Sequence, residues 1–129
     1  MNVRSLSPKL LPWLVAGTAW LCAAHAFAAD PFPSKPVKIL VGFSPGGSND
    51  VVARLIAPKL AEGLGAQVLV DNRPGAGGNI AVSAMLTAPA DGHTLLMCTT
   101  GTLSIQPHVL KSMPFDPEKD IVPVTQVTN

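Results

Sequence analysis

The chain has 129 residues, 47% of them hydrophobic, 13% charged and 5% aromatic, with 13 Pro, 11 Gly and a formal charge of +1. That balance excludes a disordered tail, a coiled coil and a multi-domain assembly. Nine Lys and Arg against eight Asp and Glu leave no electrostatic excess to gather nucleic acid or anionic lipid, so partners must be recognised by shape and local dipoles.

Arg4 and Lys9 form a positive leader ahead of an apolar run at 10–24, fifteen residues long and short of the roughly 20 that span a bilayer. Ala26, Phe27 and Ala28 then read as an A-x-A cleavage site, with Ala24, His25 and Ala26 a near alternative. Residues 1–28 are therefore expected to be a cleavable signal peptide and 29–129 the exported piece. Without the leader the chain keeps seven basic and eight acidic residues, no Trp or Tyr, and Cys98 as its single cysteine, so no intramolecular disulfide can form. Phe32, Phe43 and Phe115 are too few aromatic faces for a site built on stacking, which sets aside sugars and single-stranded nucleic acid.

Pro31, Pro33 and Pro36 predict an extended segment without ladder donors. Residues 37–43 form a short, β-branched apolar run and predict a buried strand. From Ser48 the period changes to about 3.6, with Val51, Val52, Leu55, Ile56, Leu60 and Leu64 on one stripe and Gly63 and Gly65 as stop signals. This predicts an amphipathic helix with Ser48 as N-cap, Asp50 in the first turn where the helix dipole favours an anion, and a bend at Pro58. The cycle repeats with a strand at 67–71, a glycine loop at 72–78 and a helix at 79–88 capped by Asn79. A third strand at 94–99 runs into a polar loop at 99–102 and a weak helical stretch at 103–111; an irregular connection at 113–117 and a last strand at 121–127 follow.

Strands alternating with helices at this spacing predict an α/β fold, a parallel sheet with helices on both faces. Such a sheet binds its ligand beyond the carboxyl ends of its strands. Three loops lie there: 44–48, 72–79 and 99–102. Two are rich in glycine and lead into helix N-termini, whose free amides and positive dipole ends suit an anion without any cation.

Rival motifs fail on chemistry. Gly42, Ser44 and Gly46 match G-x-S-x-G, which would make Ser44 the nucleophile of a secreted serine hydrolase. The residue after the nucleophile must offer an N–H to the oxyanion, and it is Pro45. His93 and His108, the available bases, read as surface or loop residues. Gly75, Gly77 and Gly78 imitate a dinucleotide fingerprint, but Ile80 stands at its sixth position. No P-loop triplet and no metal-ligand spacing occurs, so no cofactor or metal is expected, and Cys98 reads as a buried strand residue.

The blocks at 33–41, 43–50, 72–80, 91–96 and 114–120 together resemble the Bug family of extracytoplasmic solute receptors, which serve tripartite tricarboxylate transporters. The resemblance covers the chain from about Pro33 onward. It implies the fold of a type II periplasmic binding protein, two α/β domains closing on a carboxylated solute, with this chain the N-terminal portion of domain 1 and the second lobe absent. It implies a periplasmic, non-catalytic, monomeric receptor that passes a small carboxylate, a di- or tricarboxylate or an amino acid, to membrane permease subunits. It also implies a first ligand loop of Phe43, Ser44, Gly46, Gly47 and Ser48, with Gly46, Gly47 and Ser48 offering donors, partly through water. Asn79 and the loop bearing Thr100 and Thr102 follow as further ligand residues. Three features depart from the family pattern: His93 replaces an aromatic, Pro58 interrupts a helix, and the chain is short. The alternative is a truncated fragment that binds nothing because it exposes sheet edge and apolar surface.

Overall fold

The computed structural model describes residues 31–128, so the expected signal peptide and its cleavage site lie outside the described residues. Its centre is a three-stranded, fully parallel sheet of β1 (Val37–Val41), β2 (Val68–Asn72) and β3 (Thr94–Met97) in the order β2-β1-β3. Helix α1 (Ser48–Leu64) carries the chain from β1 to β2, and α2 (Asn79–Leu86) carries it back across β1 to β3. A wide helical turn at Gly101–Ile105 leads into the short α3 (Gln106–Val109).

Right-handed crossovers in opposite directions put α1 and α2 on opposite faces of the sheet, and the packing agrees. On one face Ile39 and Val41 of β1 meet Ala53 and Ala57 of α1, with Val68, Val70, Leu95 and Met97 from the flanking strands around them. Alternation sends the next residue, Gly42, to the other face. A Cβ there would lie 2.8 Å from Gly78 Cα and 3.5 Å from Ala81 Cβ at the start of α2. The β1 end and the α2 start thus touch through backbone, which only glycine allows.

Several local expectations change. The buried face of α1 is centred on Ala53 and Ala57, and Val51 and Leu55 of the expected stripe are exposed, Leu55 by 74%. Small side chains let the helix axis approach the sheet, and the large ones flank the contact. The helix runs unbroken through the exposed Pro58, which leaves the Arg54 carbonyl without its helical donor. Gly65, at φ 65°, ends α1 as expected of a glycine stop.

Neither expected N-cap holds. Gly47 caps α1 and Gly78 caps α2, each without a side-chain hydrogen bond, and Ser48 and Asn79 are the first helical residues. Gly46 at φ 81° and Gly78 at φ 99° turn the chain one residue earlier than a Ser or Asn cap would. Residues 121–127 form no strand: Val122 and Val124 are more than four-fifths exposed, and no described strand pairs with them. A β-branched run without a ladder partner has nothing to hold it extended. Cys98 lies just past β3 and is half-buried, its thiol pushed up by desolvation.

Gly42→Ala is expected to destabilise the protein by about 1–3 kcal/mol, since the new methyl group meets backbone that cannot rotate away. Urea unfolding followed by far-UV circular dichroism measures this, and an unchanged midpoint would show that the contact is loose.

Candidate functional site

The order β2-β1-β3 reverses winding direction between β1 and β3, and the crevice beyond the carboxyl ends of those strands is where an open α/β sheet admits a ligand. Three segments border it: 42–48 after β1, 73–79 after β2 and 98–102 after β3. Hydrogen bonds tie them together. Asn72 Nδ2, at the end of β2, donates to the Phe43 carbonyl at 3.1 Å and to Asp50 Oδ1 at 2.9 Å. Thr102 Oγ1 donates to the Gly77 carbonyl at 2.9 Å, and Gln106 Nε2 donates to the same carbonyl at 3.0 Å.

Asp50 organises the first loop. It exposes 3% of its surface, yet its carboxylate accepts from Gly46 N–H at 2.8 Å, from Arg54 Nε at 3.0 Å on both oxygens, and from Asn72 Nδ2. Arg54 lies one turn along α1 and also donates from Nη2 to Asn72 Oδ1 at 3.1 Å. The Arg54 guanidinium, the Gly46 amide and the Asn72 amide together hold the Asp50 carboxyl down from 3.8 to about 2, against the opposing pull of burial.

This network corrects the expected roles of two glycines. The Gly46 amide is occupied by Asp50, and the Gly47 amide donates to the Ser44 carbonyl at 3.2 Å. Neither is free for a ligand in this state. The amides left open at this loop are those of the first turn of α1, at Ser48 and Asn49, because no side chain caps the helix. Ser44 and Ser48 are exposed at the loop, while Phe43 is half-buried with its ring against the core beneath α1.

The other predicted site residues divide. Asn79 is buried, 9% exposed, and its Oδ1 has no hydrogen-bond partner. Thr100 is exposed. Thr102 is 1% exposed and spends its hydroxyl on Gly77 and Thr99, so it supports the glycine loop and does not face a ligand. Sequence reasoning missed Asn49 and Gln106, whose Nδ2 and Oε1 are also buried without partners. Asn49 had a signal, since it is a polar residue in the uncapped first turn beside the glycine pair. Gln106 had none, because its place depends on how the segment after β3 folds back. Among the described residues no histidine is hydrogen-bonded to Ser44: His108 is exposed on α3, and His93, expected at the surface, is buried and bonded to Ser34 and Asp91. No cluster of His, Cys, Asp or Glu able to hold a metal occurs among the described residues.

A lowered carboxyl stabilises the fold above its unfolded value and loses that contribution as pH falls through its folded value. Asp50 is thus expected to cost the protein stability between about pH 4 and pH 2. In Asp50→Asn this acid-dependent increment should vanish and stability at neutral pH should fall, because Arg54 loses its partner. Thermal melts of both proteins across that interval measure the effect, and parallel acid limbs would refute it.

Residues 52–129 match the tripartite tricarboxylate transporter family receptor, TctC. A similar curated protein is BugT of Bordetella pertussis, 42% identical over 105 residues, a stretch covering 81% of this chain and 32% of BugT. Two similar solved structures come from Rhodopseudomonas palustris. MatC with bound malate shares 36% identity at a TM-score of 0.71, covering 74% of this chain and 33% of its own. Rpa4515 with adipate shares 40% at a TM-score of 0.63, covering 67% and 29%. The chain spans about a third of the length of the curated relatives it matches. The parallel sheet and its flanking helices are therefore those of the periplasmic binding proteins, and the chain belongs to the TctC family of tripartite tricarboxylate transporter receptors.

Proposed function

We propose that this chain is the N-terminal portion of a periplasmic receptor that captures a small carboxylate, without catalysis, for the membrane permease subunits of a tripartite transporter. In this reading residues 1–28 are the export signal and the rest supplies one wall of the ligand cleft. The observation that carries it is the set of open polar groups at the mouth of the sheet. Two helices begin there with no side-chain cap, and buried Asn49 Nδ2 and Asn79 Oδ1 have no partner among the described residues. Buried polar groups are nearly always bonded, so the unbonded Asn49 donor calls for an acceptor such as a carboxylate oxygen, and the Asn79 acceptor for a hydroxyl or a water. Helix amides and a carboxamide donor hold a carboxylate at little desolvation cost, with no buried cation.

The carboxylates in the MatC and Rpa4515 structures, malate and adipate, belong to the same ligand class. Ser44, Ser48 and Thr100, exposed around the mouth, would offer hydroxyls directly or through water. Gly46 and Gly47 serve as the turn that presents the first-turn amides of α1.

A thermal-shift titration of the chain with malate and adipate tests the assignment. Ligand at a hundredfold excess over its Kd adds about 2.7 kcal/mol of stability. Gly47→Asp is expected to fold, since Asp is a favourable N-cap although its Cβ would lie 3.2 Å from the Ser44 carbonyl oxygen, and its unliganded melting temperature sets its own baseline. The variant carboxylate competes for the first-turn amides of α1, so the ligand-induced shift should disappear. Equal shifts in both proteins would remove the first loop from the site.

A further inference from the structure

A buried imidazole lies at the opposite end of the sheet from the glycine loops. His93 directly precedes β3 and is 7% exposed, and its carbonyl accepts from the Lys38 N–H of β1 at 2.8 Å. Its Nε2 is 3.2 Å from the Ser34 amide nitrogen. A backbone N–H only donates, so Nε2 carries the lone pair and the ring proton sits on Nδ1. There it faces the Asp91 carbonyl and Asp91 Oδ1, each at 3.1 Å.

The segment ahead of β1 is docked on this ring at three points. The Phe32 ring packs on the imidazole with centroids 4.7 Å apart and an interplanar angle of 56°. It also covers Gly92, where a Cβ would lie 3.2 Å from Phe32 Cε2. Lys35 Nζ pairs with Asp91 Oδ2 at 2.7 Å. Ser34 lies between them, and its amide has His93 Nε2 as its acceptor.

We propose that His93 is a proton-operated clasp on the Ser34 amide of the segment 32–35: the neutral ring holds that amide at the start of β3, and the imidazolium lets it go while the Phe32 and Lys35 contacts remain. A proton taken from water adds to the Nε2 lone pair, and the new N–H then faces the Ser34 N–H, donor against donor. That hydrogen bond is lost. The bonds from Nδ1 to Asp91 are kept and gain charge assistance. The charged groups around the ring are Asp91 from its own turn, Lys35 from the docked segment and, joined through the backbone, Lys38 of β1. The Lys35 ammonium and the His93 N–H hold the Asp91 carboxyl well below the usual carboxylate range, so Asp91 stays anionic while imidazoles titrate.

Nitrogen-15 NMR of the protein, followed from about pH 8 to about pH 5, the interval in which histidines ordinarily change charge, tests the clasp. At the alkaline end the His93 ring should show the Nδ1–H tautomer, and the Ser34 amide should be protected from hydrogen exchange. As the His93 resonances titrate, the protection factor at Ser34 should fall with them by on the order of tenfold, the worth of one hydrogen bond. In His93→Gln, whose side-chain oxygen accepts but cannot titrate, protection should persist at every pH. In His93→Phe, which removes the acceptor, it should be absent throughout. An Nε2–H tautomer at pH 8, or Ser34 protection in the native chain that ignores the His93 titration, would overturn the proposal. So would a fall in His93→Gln that matches the native chain.

Discussion

A buried carboxylate tolerates few arrangements, and that of Asp50 organises the loop after β1 and the elements beside it. Taken out of water it must be met by donors, and the donors it found come from three places: the Gly46 amide in the loop after β1, Arg54 one turn along α1, and Asn72 at the end of β2. Satisfying one charge therefore fixes the height of the loop, the start of the helix and the end of the neighbouring strand together. The lowered carboxyl records how completely these donors meet it. The same arrangement occupies the Gly46 amide and leaves the first-turn amides of α1 as the open ones.

The second loop is held by a different device. Gly42 and Gly78 let the end of β1 and the start of α2 meet at backbone distance, and Thr102 and Gln106 clamp the Gly77 carbonyl from the segment after β3. Each of the three loops is thus braced by its neighbours, which makes the mouth a preformed surface rather than a set of independent turns. What stays unbonded among the described residues, Asn49 Nδ2, Asn79 Oδ1 and Gln106 Oε1, stands out because nearly everything else around it is paired. Groups already oriented need little ordering when they are met by a partner.

The two ends of the sheet have separate duties. The carboxyl ends carry the helix starts and the unpaired amides, while the amino ends carry the Phe32, Ser34, Asp91 and His93 cluster that pins the entering segment. Because β1 lies between β2 and β3 and is in register with both, the anchored segment and the first loop flank one central strand.

Strand and helix types, their order and the glycine loops between them were legible in the residues, because period 2 and period 3.6 are local signals and Gly and Pro punctuate locally. So was the family, since its motifs are short and ordered along the chain. The hydrogen-bond partner of each polar group was not legible. Whether the Gly46 amide faces a ligand or Asp50, whether Ser48 or Gly47 caps α1, and whether His93 is exposed or buried against Phe32 all depend on groups distant in the chain or on one turn of backbone. The failed strand at 121–127 has the same cause, because β-branched residues make a strand only where a ladder partner exists. Local pattern determined which elements form, and only the tertiary structure decided which donors and acceptors remain free, because pairing is a property of groups brought together across the fold.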